Sequence, residues 1–230
     1  HFNTMPQTAT PTAAVLIIGN EILSGRTADA NLNTIAQKLT SVGIRMMEAR
    51  VVPDIENEIV QAVNALRARY TYVITTGGIG PTHDDITADS IGKAFGVAVN
   101  EHPEARAKLI AYYTESKINA SRLRMARIPE GAEFIDNPVS IAPGFRMENV
   151  YVLAGVPNIM KAMLDNVVAT LKHGPAIHSR TVSGFVPESV IAEELGAIAA
   201  EYPALDIGSY PWVKSGKWGT ALVTRGVDVD

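Results

Sequence analysis

The sequence predicts an α/β fold, a three-layer α/β/α sandwich around a mainly parallel sheet, followed by a small α+β segment. A continuous apolar run, Ala13–Ile18, stops at Gly19, and a second buried-strand pattern, Tyr72–Thr75, leads into the glycines that begin at Gly77. Runs of that length read as strands buried on both faces. Strand and helix patterns alternate along the first half of the chain, the mark of a parallel sheet with right-handed crossovers. The length of 230 residues and a 47% hydrophobic composition supply enough apolar surface for a sizeable core.

Each element follows in order. After Ile18 comes a polar loop holding Gly19 and Gly25, then Leu32, Ile35, Ala36, Leu39 and Val42 at helical spacing, with Gly43 where a C-terminal helix cap belongs. Ile44–Val52 is a strand broken by Pro53-Asp54. Asp54 is placed to cap a helix carrying Ile55, Ile59, Ala62, Val63 and Leu66. Tyr72–Thr75 gives way to a glycine-rich loop and a short helix over 87–95. Pro103 opens another helix through Tyr113, and residues 119–127 read as helical. Short strands are predicted at 134–135, 141–145 and 151–153, and a helix opened by Pro157 over 160–171. The composition shifts at His173-Gly174-Pro175. Beyond it lie a strand over 177–185, a helix over 188–202 and strands at 205–209 and 220–224. The expected division is a tag or disordered N-terminus over 1–12, with Met5 as the native start, a main domain over 13–172 and a small α+β segment over 173–230.

Composition excludes several classes. The formal net charge of -4 argues against a general nucleic-acid binder, though it leaves room for a local basic pocket. No apolar run reaches the roughly 18–20 residues needed to span a bilayer, so no membrane association is expected. Cysteine is absent, which removes disulfides, thiolate nucleophiles and zinc–sulfur sites. A reducing cytoplasm suits such a chain.

Chemistry concentrates in Thr75–Thr87, where a buried strand ends, Gly77, Gly78 and Gly80 follow, and Asp84 and Asp85 precede a helix. Ligands of open parallel sheets bind beyond the carboxyl ends of the strands. Glycines let backbone amides face a ligand, and a helix start adds positive partial charge. That suits a phosphate, and the two carboxylates suit it once a Mg²⁺ ion or another divalent cation intervenes. Asn20, Glu21 and Asp54 follow the first two strands and open on the same rim, so Asp54 is expected to approach Asp84 and Asp85. The plainer alternative is a tight turn with Asp85 capping the helix, and for Asp54 an ordinary helix cap. Gly144 and Gly155 mark a second pair of turns at strand ends. The chain lacks a P-loop, a dinucleotide fingerprint, a Gly-x-Ser-x-Gly elbow and a histidine metal spacing.

Read together, Gly19–Gly25 with Asn31, Val52-Pro53-Asp54, Thr76–Thr87, Asn137-Pro138 with Ala142–Phe145, and Gly155-Val156-Pro157 resemble the molybdopterin-binding (MoaB/Mog-like) domain family, in its CinA-like N-terminal branch. The resemblance covers about residues 13–172. It implies that the Gly77, Gly78 and Gly80 loop and Thr76 bind the phosphate of molybdopterin or of an adenine nucleotide. It implies catalytic roles for Asp85 and Asp54, metal binding by Asp84 and Asp85, and a cleft lined by Glu21, Asn31, Gly144 and Gly155. Ile79 stands where Mog-type enzymes usually carry Thr, and Ala154 where the family has Pro. The tail is similar to the KH-like middle segment of CinA-like proteins, but has no Gly-x-x-Gly between helix-forming segments, so nucleic-acid binding is not expected.

Three functions remain open at this point. One is Mg²⁺-assisted adenylyl transfer to molybdopterin in molybdenum cofactor biosynthesis. A second is metal-dependent hydrolysis of ADP-ribose or dinucleotide pyrophosphates, which the CinA-like resemblance implies. The third is ligand binding without turnover. A small phosphorylated molecule is the expected partner in all three, and the family resemblance implies a homo-oligomer.

Overall fold

A computed structural model describes residues 10–113 and 117–227. The chain divides into two compact units, His1–Gly174 and Pro175–Asp230. The reading of residues 1–12 as an unstructured leader lies, for residues 1–9, outside the described residues. Thr12 already belongs to the first strand.

The first unit is built on a six-stranded sheet. Its strands are β1 (Thr12–Ile18), β2 (Arg45–Val52), β3 (Tyr72–Thr76), β6 (Glu133–Ile135), β7 (Gly144–Met147) and β8 (Val150–Leu153), in the order β2-β1-β3-β8-β7-β6. The pairs β1–β2, β1–β3 and β3–β8 are parallel, while β7–β8 and β6–β7 are antiparallel. A separate antiparallel pair joins β4 (Val99–Glu101) to β5 (Arg127–Pro129). The helices are α1 (Asn20–Leu23), α2 (Asn31–Ser41), α3 (Glu56–Arg69), α4 (Thr87–Phe95), α5 (Pro103–Tyr113), α6 (Ala120–Arg124) and α7 (Pro157–Val168).

The unbroken apolar run of β1 serves two cores at once, because successive side chains leave a strand on opposite faces. Ala13, Val15 and Ile17 pack with Ile35 and Leu39 of α2 and Met160, Met163 and Leu164 of α7. Ala14, Leu16 and Ile18 pack with Ile59, Val63 and Leu66 of α3 and Ile91 of α4. The sheet is thereby sandwiched between helix layers, and no position from Ala13 to Ile18 is free for a polar residue. A smaller cluster joins Ala105 and Leu109 of α5 to Met125 and Ala126.

Three local expectations change. Asp54 does not cap α3: the N-cap residue is Ile55 and no side-chain cap is made, because the Asp54 carboxylate is drawn to the Asn20 amide at 2.8 Å. The strand expected over 141–145 begins at Gly144, since Ile141 is left-handed (φ 68°). Asn137 causes this. Its Nδ2 donates to Ser140 Oγ and Ala142 O, and its Oδ1 accepts from the amides of Val139 and Ser140, which ties 137–142 into a knot. Within 119–127 only α6 is helical, and β5 begins at Arg127.

The second unit is a three-stranded antiparallel sheet, β10-β11-β9, with one helix. Its elements are β9 (His178–Gly184), α8 (Glu188–Glu201), β10 (Asp206–Lys214) and β11 (Lys217–Gly226). Ser215 and Gly216 both have positive φ (51° and 74°), the geometry of a two-residue hairpin turn that matches strand twist. Both strands therefore run longer than the apolar pattern suggested. Pro211 is tolerated because β10 is an edge strand. The spacing Gly216-Lys217-Trp218-Gly219 falls in this hairpin and joins no helices, so it does not build a KH-type backbone clamp.

Candidate functional site

Because β1, β2, β3 and β8 are parallel, their carboxyl ends meet on one edge. β2 and β3 flank β1 on opposite sides, so the chain reverses direction there, the place where open sheets form a ligand crevice. The ends of β3 and β8 approach closely: a Cβ at Gly155 would lie 3.2 Å from Gly77 Cα.

The glycine loop is held from inside. Gly77 and Gly78 are both left-handed (φ 100° and 68°). A Cβ on Gly77 would meet Ile18 O at 2.2 Å, and one on Gly78 would meet Thr87 Oγ1 at 2.2 Å. Internal packing alone thus demands glycine at both positions. Thr87 locks the loop, its hydroxyl donating to Gly77 O at 2.9 Å and its amide to Gly78 O at 3.0 Å. The amides of Gly78, Ile79 and Gly80 have no hydrogen-bond partner among the described residues, although the loop around them is fixed. Buried or crowded amides are ordinarily paired, so a run of free ones at a sheet edge forms an anion-binding concavity.

The predicted site residues divide between two cavities, one on each side of that loop. The first encloses about 70 Å³ and is lined by Glu21, Asn31, Thr76, Gly77 and Gly155, together with Pro157 at the start of α7. Asn31 is 5% exposed; its Nδ2 donates to Gly155 O at 2.7 Å, while its Oδ1 is buried without a partner. Such an acceptor calls for an N–H or O–H from outside the chain. The Glu21 carboxylate folds back beside Gly19, where any side chain would collide with it at 2.5 Å.

The second cavity, about 20 Å³, is lined by Gly78 and Gly80, Asp85, Arg124 and Arg127 over a floor including Phe145. Asp85 accepts from the Thr82 amide at 2.8 Å and the Thr82 hydroxyl at 2.5 Å, both through Oδ2. Its Oδ1 makes no hydrogen bond among the described residues. The neighbouring Asp84 is held below the usual carboxylate range, first by the Thr82 hydroxyl and then by its own backbone amide.

Three expected residues stand elsewhere, Asp84 among them, since it adjoins Asp85 but lines neither cavity. Asp54 lines neither cavity and binds Asn20 at the end of β2, while Asp85 faces Thr82, so their expected approach is not made through any hydrogen bond or shared pocket. Gly144 is buried in the sheet, and a Cβ there would strike Val152 O at 2.3 Å and Met163 Cε at 2.4 Å. Its smallness serves core packing. Sequence reasoning passed over Thr82, Arg124 and Arg127. Thr82 carried a signal, since Thr-x-x-Asp has the spacing of a capping box, in which the later carboxylate accepts from the earlier residue's amide. A lone arginine far along the chain carries none.

Fold and cleft define a doubly wound α/β protein with a paired crevice at the carboxyl edge of its sheet. Residues 14–173 match the family described as "Probable molybdopterin binding domain", and the chain belongs to that family. Residues 176–230 match the family described as "FAD synthase, middle domain". A protein of Pyrobaculum calidifontis is 36% identical over 213 residues, covering 87% of this chain and 81% of that one. A CinA-like protein of Desulfosudis oleivorans is 35% identical over 209 residues, covering 85% of this chain, which spans about half (51%) of its length. The crystal structure of CinA from Thermoplasma acidophilum, described as of unknown function, superposes with a TM-score of 0.65 at 34% identity over 69% of this chain and 96% of that one.

Proposed function

We propose that the chain binds a phosphorylated pterin or adenine nucleotide at the carboxyl edge of its sheet, with a divalent cation such as Mg²⁺ between the phosphate and Asp85. The observation that carries this reading is the run of unpartnered amides at Gly78–Gly80, rigidly held beside a carboxylate with a free oxygen. The amides and the start of α4 favour the anion, and the carboxylate alone would repel it, so the pair makes chemical sense with a cation between them. No cluster of three or more acidic or histidine side chains that could hold a metal exists among the described residues. The proposed cation would take one or two carboxylates and complete its shell with phosphate oxygens and water. Asp84, next to it in the chain, is the second candidate ligand. Asn31 Oδ1 in the adjoining cavity would accept an N–H from the ring system of the ligand.

The family favours transfer chemistry on molybdopterin, with Asp85 positioning the cation against developing charge. The second reading is hydrolysis of an ADP-ribose-type or dinucleotide pyrophosphate in the same cleft. It is favoured by the CinA-like relatives and by the FAD synthase domain match over residues 176–230. Following AMP release from ATP with molybdopterin, and separately from ADP-ribose, with and without Mg²⁺, distinguishes the two. Asp85→Asn should lower the Mg²⁺-dependent rate by about 10²-fold or more while the melting temperature stays within a few degrees. Full turnover in that variant, or no Mg²⁺-dependent ligand binding by the unaltered chain, would refute the assignment.

A further inference from the structure

The two edges of the six-stranded sheet are protected differently. At one edge β6 is three residues long, too short to template a further strand. At the other, β2 runs for eight residues, the longest strand of that sheet, and its outer side has no main-chain partner among the described residues. Val52 O accepts from the Gly19 amide, so the main chain of Val52 faces β1, and by alternation so does that of Arg50 and Glu48. The N–H and C=O groups of Ala49 and Val51 therefore point outward. Apolar side chains stand along the same strand in water: Met47 is 53% and Val51 39% exposed, and Ala49 is exposed as well. A long open edge of this kind is a template for another strand.

We propose that β2 pairs antiparallel with β2 of a second copy of this chain, about a two-fold axis through Ala49. The strand's own charges select both the partner and the register. Antiparallel self-pairing sets one residue opposite itself. With Glu48 or Arg50 in that place, like charges would meet face to face, which is destabilising. Centring on Met47 would put the bulge of β2 on the axis, and centring on Val51 would run the pairing straight into Pro53, which has no amide to donate. With Ala49 there, its outward amide and carbonyl exchange hydrogen bonds with the partner's Ala49. Glu48 then lies opposite the partner's Arg50, and Met47 opposite the partner's Val51, each contact made twice by the symmetry. Arg50 is free to make it: only its Nε is engaged, to its own Glu48 at 2.6 Å, and its terminal nitrogens have no partner among the described residues. This contact is independent of what the cleft binds.

Sedimentation velocity on the full chain over a concentration series should show a monomer–dimer equilibrium. Arg50→Glu sets carboxylates opposite each other and should raise the dimer dissociation constant about tenfold or more. Glu48→Lys sets cations opposite each other and should do the same. An equimolar mixture of the two variants should recover the dimer, because each supplies the charge that the other lacks. A second measurement alters no charge on β2. The sequence has no cysteine, so Ala49→Cys places one thiol from each copy at about 5.5 Å between Cα atoms, within disulfide reach. That variant should cross-link under mild oxidation much faster than Lys161→Cys, an exposed position on α7. A chain that stays monomeric throughout the series, a dimer that Arg50→Glu leaves unweakened, or equal cross-linking of the two cysteine variants overturns the proposal. A mixture of the two charge variants that stays monomeric, with both folded by circular dichroism, overturns the register.

Discussion

Asn137 is 1% exposed and uses its amide and carbonyl groups four times, twice as donor and twice as acceptor. Asn137→Ala removes the side chain and leaves the 137–142 turn without its internal partners. We expect a loss of about 2–4 kcal/mol in chemical denaturation, and a loss below about 1 kcal/mol would contradict the tying role. Glu48 illustrates a weaker, pH-linked effect. Tyr70 and Arg50 donate to its carboxylate and hold it below 4.5, its ordinary value, the Tyr70 hydroxyl contributing most. A lowered folded-state value contributes stability that is complete above the unfolded value and disappears as pH falls through the folded one. In Glu48→Gln that acid-side loss should shrink, measurable as a flatter melting temperature below pH 4.5. Equal acid sensitivity in both proteins would rule out the linkage. At Gly78, substitution tests packing and not ligand access, because the left-handed backbone and Thr87 already forbid a side chain.

Among the elements, β1 carries the most consequence, since each of its faces feeds a separate helix layer. Leu16 is fully buried, and Leu16→Ala should cost about 2–5 kcal/mol, the usual range for a cavity left in a packed core. A cost under 1 kcal/mol would mean the layer relaxes around the gap. Strands β1 and β3 were legible because two-sided burial writes itself as an uninterrupted apolar run. Helices α3, α4 and α5 were legible from periodicity and from Pro103. What escaped was long-range or side-chain-specific. Asp54 is adjacent to a helix start yet bonds a residue 34 positions away, which no local pattern encodes. The left-handed Ile141 follows from Asn137 four residues earlier, where an apolar run had argued for a strand. The cleft's glycines were located by spacing, but their necessity comes from Ile18 and Thr87, and Arg124 emerges only once α6 is folded against the loop.

At the scale of the molecule, the two compact units differ in how much they bury. Among its described residues, the Pro175–Asp230 unit buries only Gly219 and Thr220, whereas the first unit holds three apolar clusters. Hydrogen exchange should find the amides of α8 opening at much lower free energy than those of β1 and β3. Equal protection of both would show that the second unit draws stability from contacts beyond its own. The hairpin of β10 and β11 also fixes what an observer of refolding can see. The chain's two tryptophans, Trp212 and Trp218, both lie on it, closed by the Ser215-Gly216 turn. Such local pairing completes in microseconds when a turn is preformed. The central sheet must instead bring together segments as distant in sequence as β1 and β3, or β3 and β8. Indole emission will therefore follow one end of the polypeptide while circular dichroism follows mostly the other, and their time courses should not coincide.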